Sequence, residues 1–242
     1  MNDFGGAEKN NAWAAKDSGW EKLRNTKLYD LLAAMPLILW LAFGLHAQLP
    51  LLIRRATELL SGTIDPSRFL QFVAFLGSFS FNIAMIYFLV VRTKPIARSK
   101  GLLPRITAVA GAFFGTSILL LPAAPPSLPL QIVSNLLIFG GSFAALFVLT
   151  RLGRAFAMMP EARELNISGP YAFARHPLYA FEVVIYLGLM LQFQQPWALI
   201  IMTTGFFVMY CRSTFEERIL EERFPQYRAY RARTARFIPG VF

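Results

Sequence analysis

Cysteine is almost missing from this sequence. Cys211 is the only one in 242 residues, which excludes intramolecular disulfides and cysteine metal clusters. The only histidines, His46 and His176, lie far apart and form no H-x-x-x-H pair, so no metal is expected. Neither common glycine-rich phosphate loop occurs, and no serine sits in a nucleophile elbow. Acidic residues are also few, 14 against 24 basic, for a formal charge of +10. In a soluble chain that excess would suggest nucleic acid. Here the hydropathy points to a membrane, and no nucleic-acid partner is expected.

What the chain has instead is apolar surface. It is 55% hydrophobic with a mean hydropathy of +0.46. A membrane-crossing helix needs ~20 mostly apolar residues, because no unpaired backbone group can face lipid. Six segments qualify as candidates: Leu28–Leu52, Phe69–Val91, Leu102–Leu121, Leu130–Leu149, Leu178–Phe193 and Trp197–Cys211. The last two are shorter and are joined by Gln194-Gln195-Pro196, which reads as a tight turn. Gly140-Gly141 and the Gly111–Gly115 spacing permit close helix packing. The expectation is an all-α, multi-pass integral membrane protein with about six transmembrane helices and a C-terminal helical segment.

Basic residues give the orientation. They gather in four groups: Lys9 to Lys27, Arg92 to Arg105, Arg151 to Arg175, and Arg212 to Arg236. Only Arg54, Arg55 and Arg68 lie elsewhere. Six alternating spans put the four groups on one face, so both termini are expected in the cytoplasm of a bacterial inner-membrane protein. No secretory signal pattern is expected either, since residues 1–27 are polar. Three regions result: a polar cytoplasmic tail over 1–27, four transmembrane helices over 28–149, and a cofactor-binding catalytic region with a short helical hairpin and C-terminal helix over 150–242. Oligomeric state is not legible.

The chemistry concentrates in that last region. Residues 168–182 read SGPYAFARHPLYAFE. Pro177 suits the first turn of a helix, where its missing N–H costs nothing. His176, Tyr179 and Glu182 then share one face, with Arg175 beside them. A glutamate at that depth is costly unless it is paired or faces a wet cavity. Across the hairpin, Arg212 and Glu216 are four apart, as are Glu217 and Glu221, so each pair shares a helix face. An amphipathic interfacial helix explains the second cluster equally well.

The two blocks together, PEARELNISGPYAFARHPLY and EERILEERFPQYRAYRARTARFIP, resemble the isoprenylcysteine carboxyl methyltransferases and their bacterial relatives, a group that includes phospholipid methyltransferases. The resemblance covers about the C-terminal third. It implies a membrane enzyme that takes S-adenosylmethionine on the cytosolic side and a lipidic methyl acceptor, a prenylcysteine-like carboxylate or a lipid amine, from the bilayer. On that resemblance Arg163, Glu164, Leu165, Asn166, Tyr171, His176, Pro177, Tyr179 and Glu216 are cofactor-binding. Arg212, facing the acceptor, is catalytic together with Arg175 and Glu217. Guanidinium suits a carboxylate acceptor; an amine acceptor needs a base, for which His176 or Glu217 would serve. Two positions depart from the pattern: Phe181 stands for a small residue and Pro225 for a glycine. Phe181 is expected to reshape the acceptor passage. The alternatives are an NADPH-dependent membrane reductase of the sterol-reductase type, which shares an Arg-His-Pro block, and a non-enzymatic transporter or scaffold.

Overall fold

The computed structural model describes residues 26–62, 65–99, 101–124, 126–157 and 159–240. Lys9, Lys16, Lys22, Arg24 and Lys100, counted in the charge groups above, lie outside them, as does most of the expected N-terminal tail. The described chain is helical apart from one two-residue β-ribbon.

Helix α1 runs Lys27–Ser61 and α2 runs Pro66–Val91. The Thr26 hydroxyl caps α1 by accepting from the Tyr29 N–H at 3.1 Å, and Asp65 caps α2 by accepting from the Ser67 N–H at 3.0 Å. Helix α3, Leu103–Phe114, continues as a 3-10 segment over Gly115–Leu120. Helix α4 spans Leu128–Leu152 and ends at Gly153, whose φ of 56° suits glycine. Helix α5 is Pro177–Met190, starting at the proline as expected; α6 is Trp197–Arg223 and α7 is Tyr227–Arg233.

All six apolar segments are helical, but among the described residues four helices, α1, α2, α4 and α6, are long and apolar enough to cross a membrane. The expected third span is divided between α-helix and 3-10 turns, and the fifth has only 14 residues of helix. The sixth is longer than expected. It continues without a break from Trp197 through Arg212, Glu216 and Glu217 to Arg223.

Neighbouring helices follow the order α1, α2, α4, α5, α6, α3, and the Trp40–Phe113 ring contact at 5.5 Å brings α3 back to α1. The seams are made of small and hydroxyl residues, the usual route to close approach in lipid. Ser78 meets Ser142 at 3.2 Å between α2 and α4. Between α4 and α5, the Ser134 hydroxyl donates to the Gly188 carbonyl at 2.8 Å. A Cβ on Gly188 would stand 2.7 Å from the Ser134 carbonyl oxygen, and one on Gly141 3.0 Å from the Ile185 amide nitrogen. Gly140 faces open space.

The loops sort to two ends. At one, β1 (Ala97–Arg98) pairs antiparallel with β2 (Glu161–Ala162), in the register Ala97 to Ala162 and Arg98 to Glu161. The C-terminal segment joins the same end through an Ala174–Ala235 bridge. At the other end an Ala123–Phe193 bridge ties the proline-rich loop to the α5–α6 turn. The basic loops that the charge pattern groups together therefore do meet in space.

Gly188→Ala is expected to cost about 1–3 kcal/mol, because backbone atoms cannot yield as a side chain does. Thermal unfolding of the detergent-solubilised protein should show the lower midpoint, with Gly140→Ala unchanged.

Candidate active site

The helix ring encloses a cavity at the basic end, with about 190 Å³ open to the centres of water molecules. Its mouth is polar and is formed by the loop between α4 and α5, where Glu161, Arg163, Glu164, Leu165, Asn166 and Tyr171 line it. Its far side is mostly apolar: Leu37 and Leu41 of α1, Phe81 and Met85 of α2, and Gly111 of α3. His176, Tyr179, Glu182 and Tyr186 of the α5 face and Arg212 and Glu216 of α6 stand between.

Glu216 is the centre of the middle zone. It accepts from the Tyr179 hydroxyl at 2.6 Å and from Arg212 Nε at 3.0 Å. The Arg212 guanidinium lies over the Tyr179 ring at 5.2 Å, and its Nη2 donates to the Ala157 carbonyl at 3.2 Å. His176 stacks on Tyr179 with ring centroids 5.4 Å apart and planes 4° from parallel. Its Nδ1 is 3.8 Å from Glu216 and its Nε2 3.2 Å from Glu217, so the ring stands between two carboxylates.

Glu217 has a different setting. It is 2% exposed and does not line the cavity. Its Oε1 accepts from Arg175 Nε at 2.8 Å and its Oε2 from Arg236 Nη2 at 3.0 Å. Arg175 also donates to the carbonyls of Arg231 and Thr234. Backbone bonds from Arg175 N to Ala235 O (2.8 Å) and from His176 N to Arg236 O (2.9 Å) complete the join. Arg175 and Glu217 thus tie the Arg-His-Pro block to the tail. Pro177 starts α5 without lining the cavity.

Sequence reasoning missed a second buried cluster. Asp30, 4% exposed in the first turn of α1, holds Arg92 Nε at 2.8 Å and Arg163 Nη2 at 2.8 Å. Glu161 holds the same Arg163 nitrogen at 2.7 Å and lies 3.2 Å from Arg98 Nε. Burial raises the Glu161 carboxyl above its ordinary range, against the pull of Arg163 and Arg98. These partners come from three separated stretches, around Asp30, Arg92 to Arg98 and Glu161 to Arg163, so no local spacing could reveal the whole cluster.

Arg163 keeps unused capacity. It is 2% exposed, and its Nε and Nη1 have no hydrogen-bond partner among the described residues. The buried Tyr227 hydroxyl in the same wall has none either. Tyr230, with its hydroxyl pushed up to about 12 by burial, stays a protonated donor and gives a 2.6 Å bond to the Tyr171 carbonyl. A group with a carboxylate, a cationic centre and a flat aromatic ring fits a wall of arginines, carboxylates and tyrosines. S-adenosylmethionine is such a group.

Phe181, expected to reshape the acceptor passage, does not line the cavity; it packs into the apolar core of α1, α2, α4 and α5.

These features define a helical membrane protein with one amphipathic cavity where its basic loops converge. Residues 130–227 match the family model described as phospholipid methyltransferase. The match runs from α4 to the start of α7 and includes every expected site residue. It agrees with the resemblance carried by the two sequence blocks and brings with it methyl transfer on a lipid-related substrate. No curated protein matches the chain.

Glu217→Gln is expected to loosen the tail. Hydrogen exchange at the Arg175 and His176 amides should rise about tenfold, since each charged hydrogen bond lost costs ~1.5–3 kcal/mol.

Proposed function

We propose that the chain transfers a methyl group from S-adenosylmethionine to a lipidic acceptor at the cytoplasmic face of a bacterial inner membrane. One observation carries this reading: a single cavity has polar side chains of the loop, Arg163, Glu164 and Asn166, at its mouth and apolar side chains of α1 and α2 on its far side. A soluble cofactor and a bilayer-borne acceptor can meet there. S-adenosylmethionine supplies a methyl already activated on sulfonium, so the chain's task is positioning and exclusion of water.

In this reading Arg163, Glu164, Leu165, Asn166, Tyr171 and His176 wall the cofactor. Tyr179, Glu216 and Arg212 set the boundary with the acceptor. Arg175, Pro177 and Glu217 act through position: they fix His176 and the start of α5. The 3-10 extension of α3 brings that element to about 30 Å, enough to cross with α1, α2, α4 and α6. Helix α5, about 21 Å long, completes six crossings by borrowing the turns at its ends. The basic loops then put both termini inside. Residues 150–242 form the catalytic region, joined in the site by Leu37, Leu41 and Phe81 from outside it.

Calorimetry on the purified chain should detect S-adenosylmethionine and not NADPH; the reverse would make it a reductase. Glu216→Ala and His176→Ala should each weaken cofactor binding by about tenfold or more, and unchanged affinity in both would refute this placement. Arg212→Ala should lower turnover more than affinity. A reporter fused after Phe242 should read as cytoplasmic.

A further inference from the structure

The methyl-transfer reading leaves the acceptor open between a carboxylate and an amine, and the wall of the cavity discriminates between them. Of its four carboxylates, Glu161 and Glu216 are held by arginines and Glu164 is exposed to solvent. Glu182 is different. It lies about 7.5 Å into α5, five residues past Pro177. It is partly buried, lines the cavity, and makes no hydrogen bond or ion pair among the described residues. Tyr179 and Tyr186 flank it on the same helix face, three residues before and four after. Across the cavity Asn82, within α2, also lacks a hydrogen-bond partner among the described residues.

The cation nearest in chemistry to Glu182 is already engaged. Arg212 gives Nε to Glu216 and Nη2 to the Ala157 carbonyl, and its face rests on Tyr179. A carboxylate acceptor would stand beside the Glu182 carboxylate and would have to share Arg212 with Glu216. A cationic acceptor meets no such conflict, and it offsets the desolvation of a carboxylate held at membrane depth.

We propose that Glu182 receives the nitrogen of the acceptor, which is therefore a lipid amine, and that its carboxylate takes the proton that nitrogen must lose. The proposal rests on the methyl-transfer reading. An ammonium N–H bond breaks and its proton passes to Glu182. The freed lone pair forms the N–CH3 bond to the sulfonium methyl, while the old C–S bond breaks with its electron pair left on sulfur. The products are a methylammonium, a neutral thioether and a protonated Glu182, which then releases its proton through the wet mouth of the cavity. Charge is conserved at each stage. The Tyr186 hydroxyl and the Asn82 amide supply the remaining polar contacts to the acceptor's headgroup.

The test uses the full chain in uncharged detergent with S-adenosylhomocysteine present, and dodecylamine and dodecanoate as probes of equal length. Wild type should bind dodecylamine the more tightly. Glu182→Gln should cut dodecylamine affinity by about tenfold or more and erase the preference, with S-adenosylhomocysteine affinity kept within about twofold. Glu182→Asp, which keeps the charge but draws it back, should retain the preference while methyl transfer to the amine slows. Equal binding of the two probes by wild type overturns the proposal, even if Glu182→Gln fails to fold. So does an unchanged preference in Glu182→Gln. A chain that binds no S-adenosylhomocysteine overturns the methyl-transfer reading and this proposal with it; normal cofactor affinity without amine preference overturns this proposal alone.

Discussion

The buried carboxylate of Glu217 faces cations from three stretches of chain: His176 and Arg175 before α5, Arg231 in α7 and Arg236 in the tail. Such a group cannot remain buried and charged without partners, and losing one of a buried pair costs about 3–5 kcal/mol. Loop and tail must therefore come to α6 together. Asp30 exerts the same demand from α1, through Arg92 and Arg163. The loop between α4 and α5 is thus held at two points, Arg163 near its middle and Arg175 near its end, each by a carboxylate of a different helix. The stretch between them, which carries Asn166 and Tyr171, forms the mouth of the cavity. It keeps its shape because both its ends are pinned by charge.

How much of this the sequence discloses depends on whether the cause is local. Apolar runs announce helices because lipid forbids unpaired backbone, and all six runs are helical. Their lengths are less legible. Composition stays apolar through Gly115–Leu120, while the backbone there tightens to 3-10. The Arg212–Glu216 pair was readable from its spacing of four, and the helix that makes it is continuous. Glu217 was not. It resembles a base in sequence, but being one residue further round α6 turns it out of the cavity and towards the tail. Asp30 gave no signal, since its partners lie 62 and 133 residues away.

Tyrosine has a matching part. Tyr179 gives its hydroxyl to Glu216 and its ring to both His176 and Arg212. A single side chain thereby sets the distance between a loop-borne imidazole and a helix-borne guanidinium. Hydroxyl bonds and ring faces stay useful in a dry setting, where each unpaired charge is expensive. The cavity can hold carboxylates and arginines side by side because aromatic groups fill the intervals.

The two departures from the family pattern acquire physical meanings of different kinds. Phe181 turns its ring into the core, while its carbonyl lies 3.2 Å from where a Gly141 Cβ would stand. The larger side chain on α5 is accommodated by core packing, with the small residue at the seam on α4; the cavity wall is unaffected. Pro225 acts on backbone. A residue before proline is driven to extended geometry, and Phe224, with φ −121° and ψ 103°, adopts it and ends α6. The chain then turns into α7, which sets Tyr227 in the cavity wall and brings the Tyr230 hydroxyl to the Tyr171 carbonyl. Glycine would permit that turn among many others; proline narrows the choice before folding and so lowers the entropy lost in closing the mouth. The position that distinguishes the cavity chemically is the residue after Phe181, because there, among the described residues, a partly buried acid lines the cavity with no hydrogen bond or ion pair.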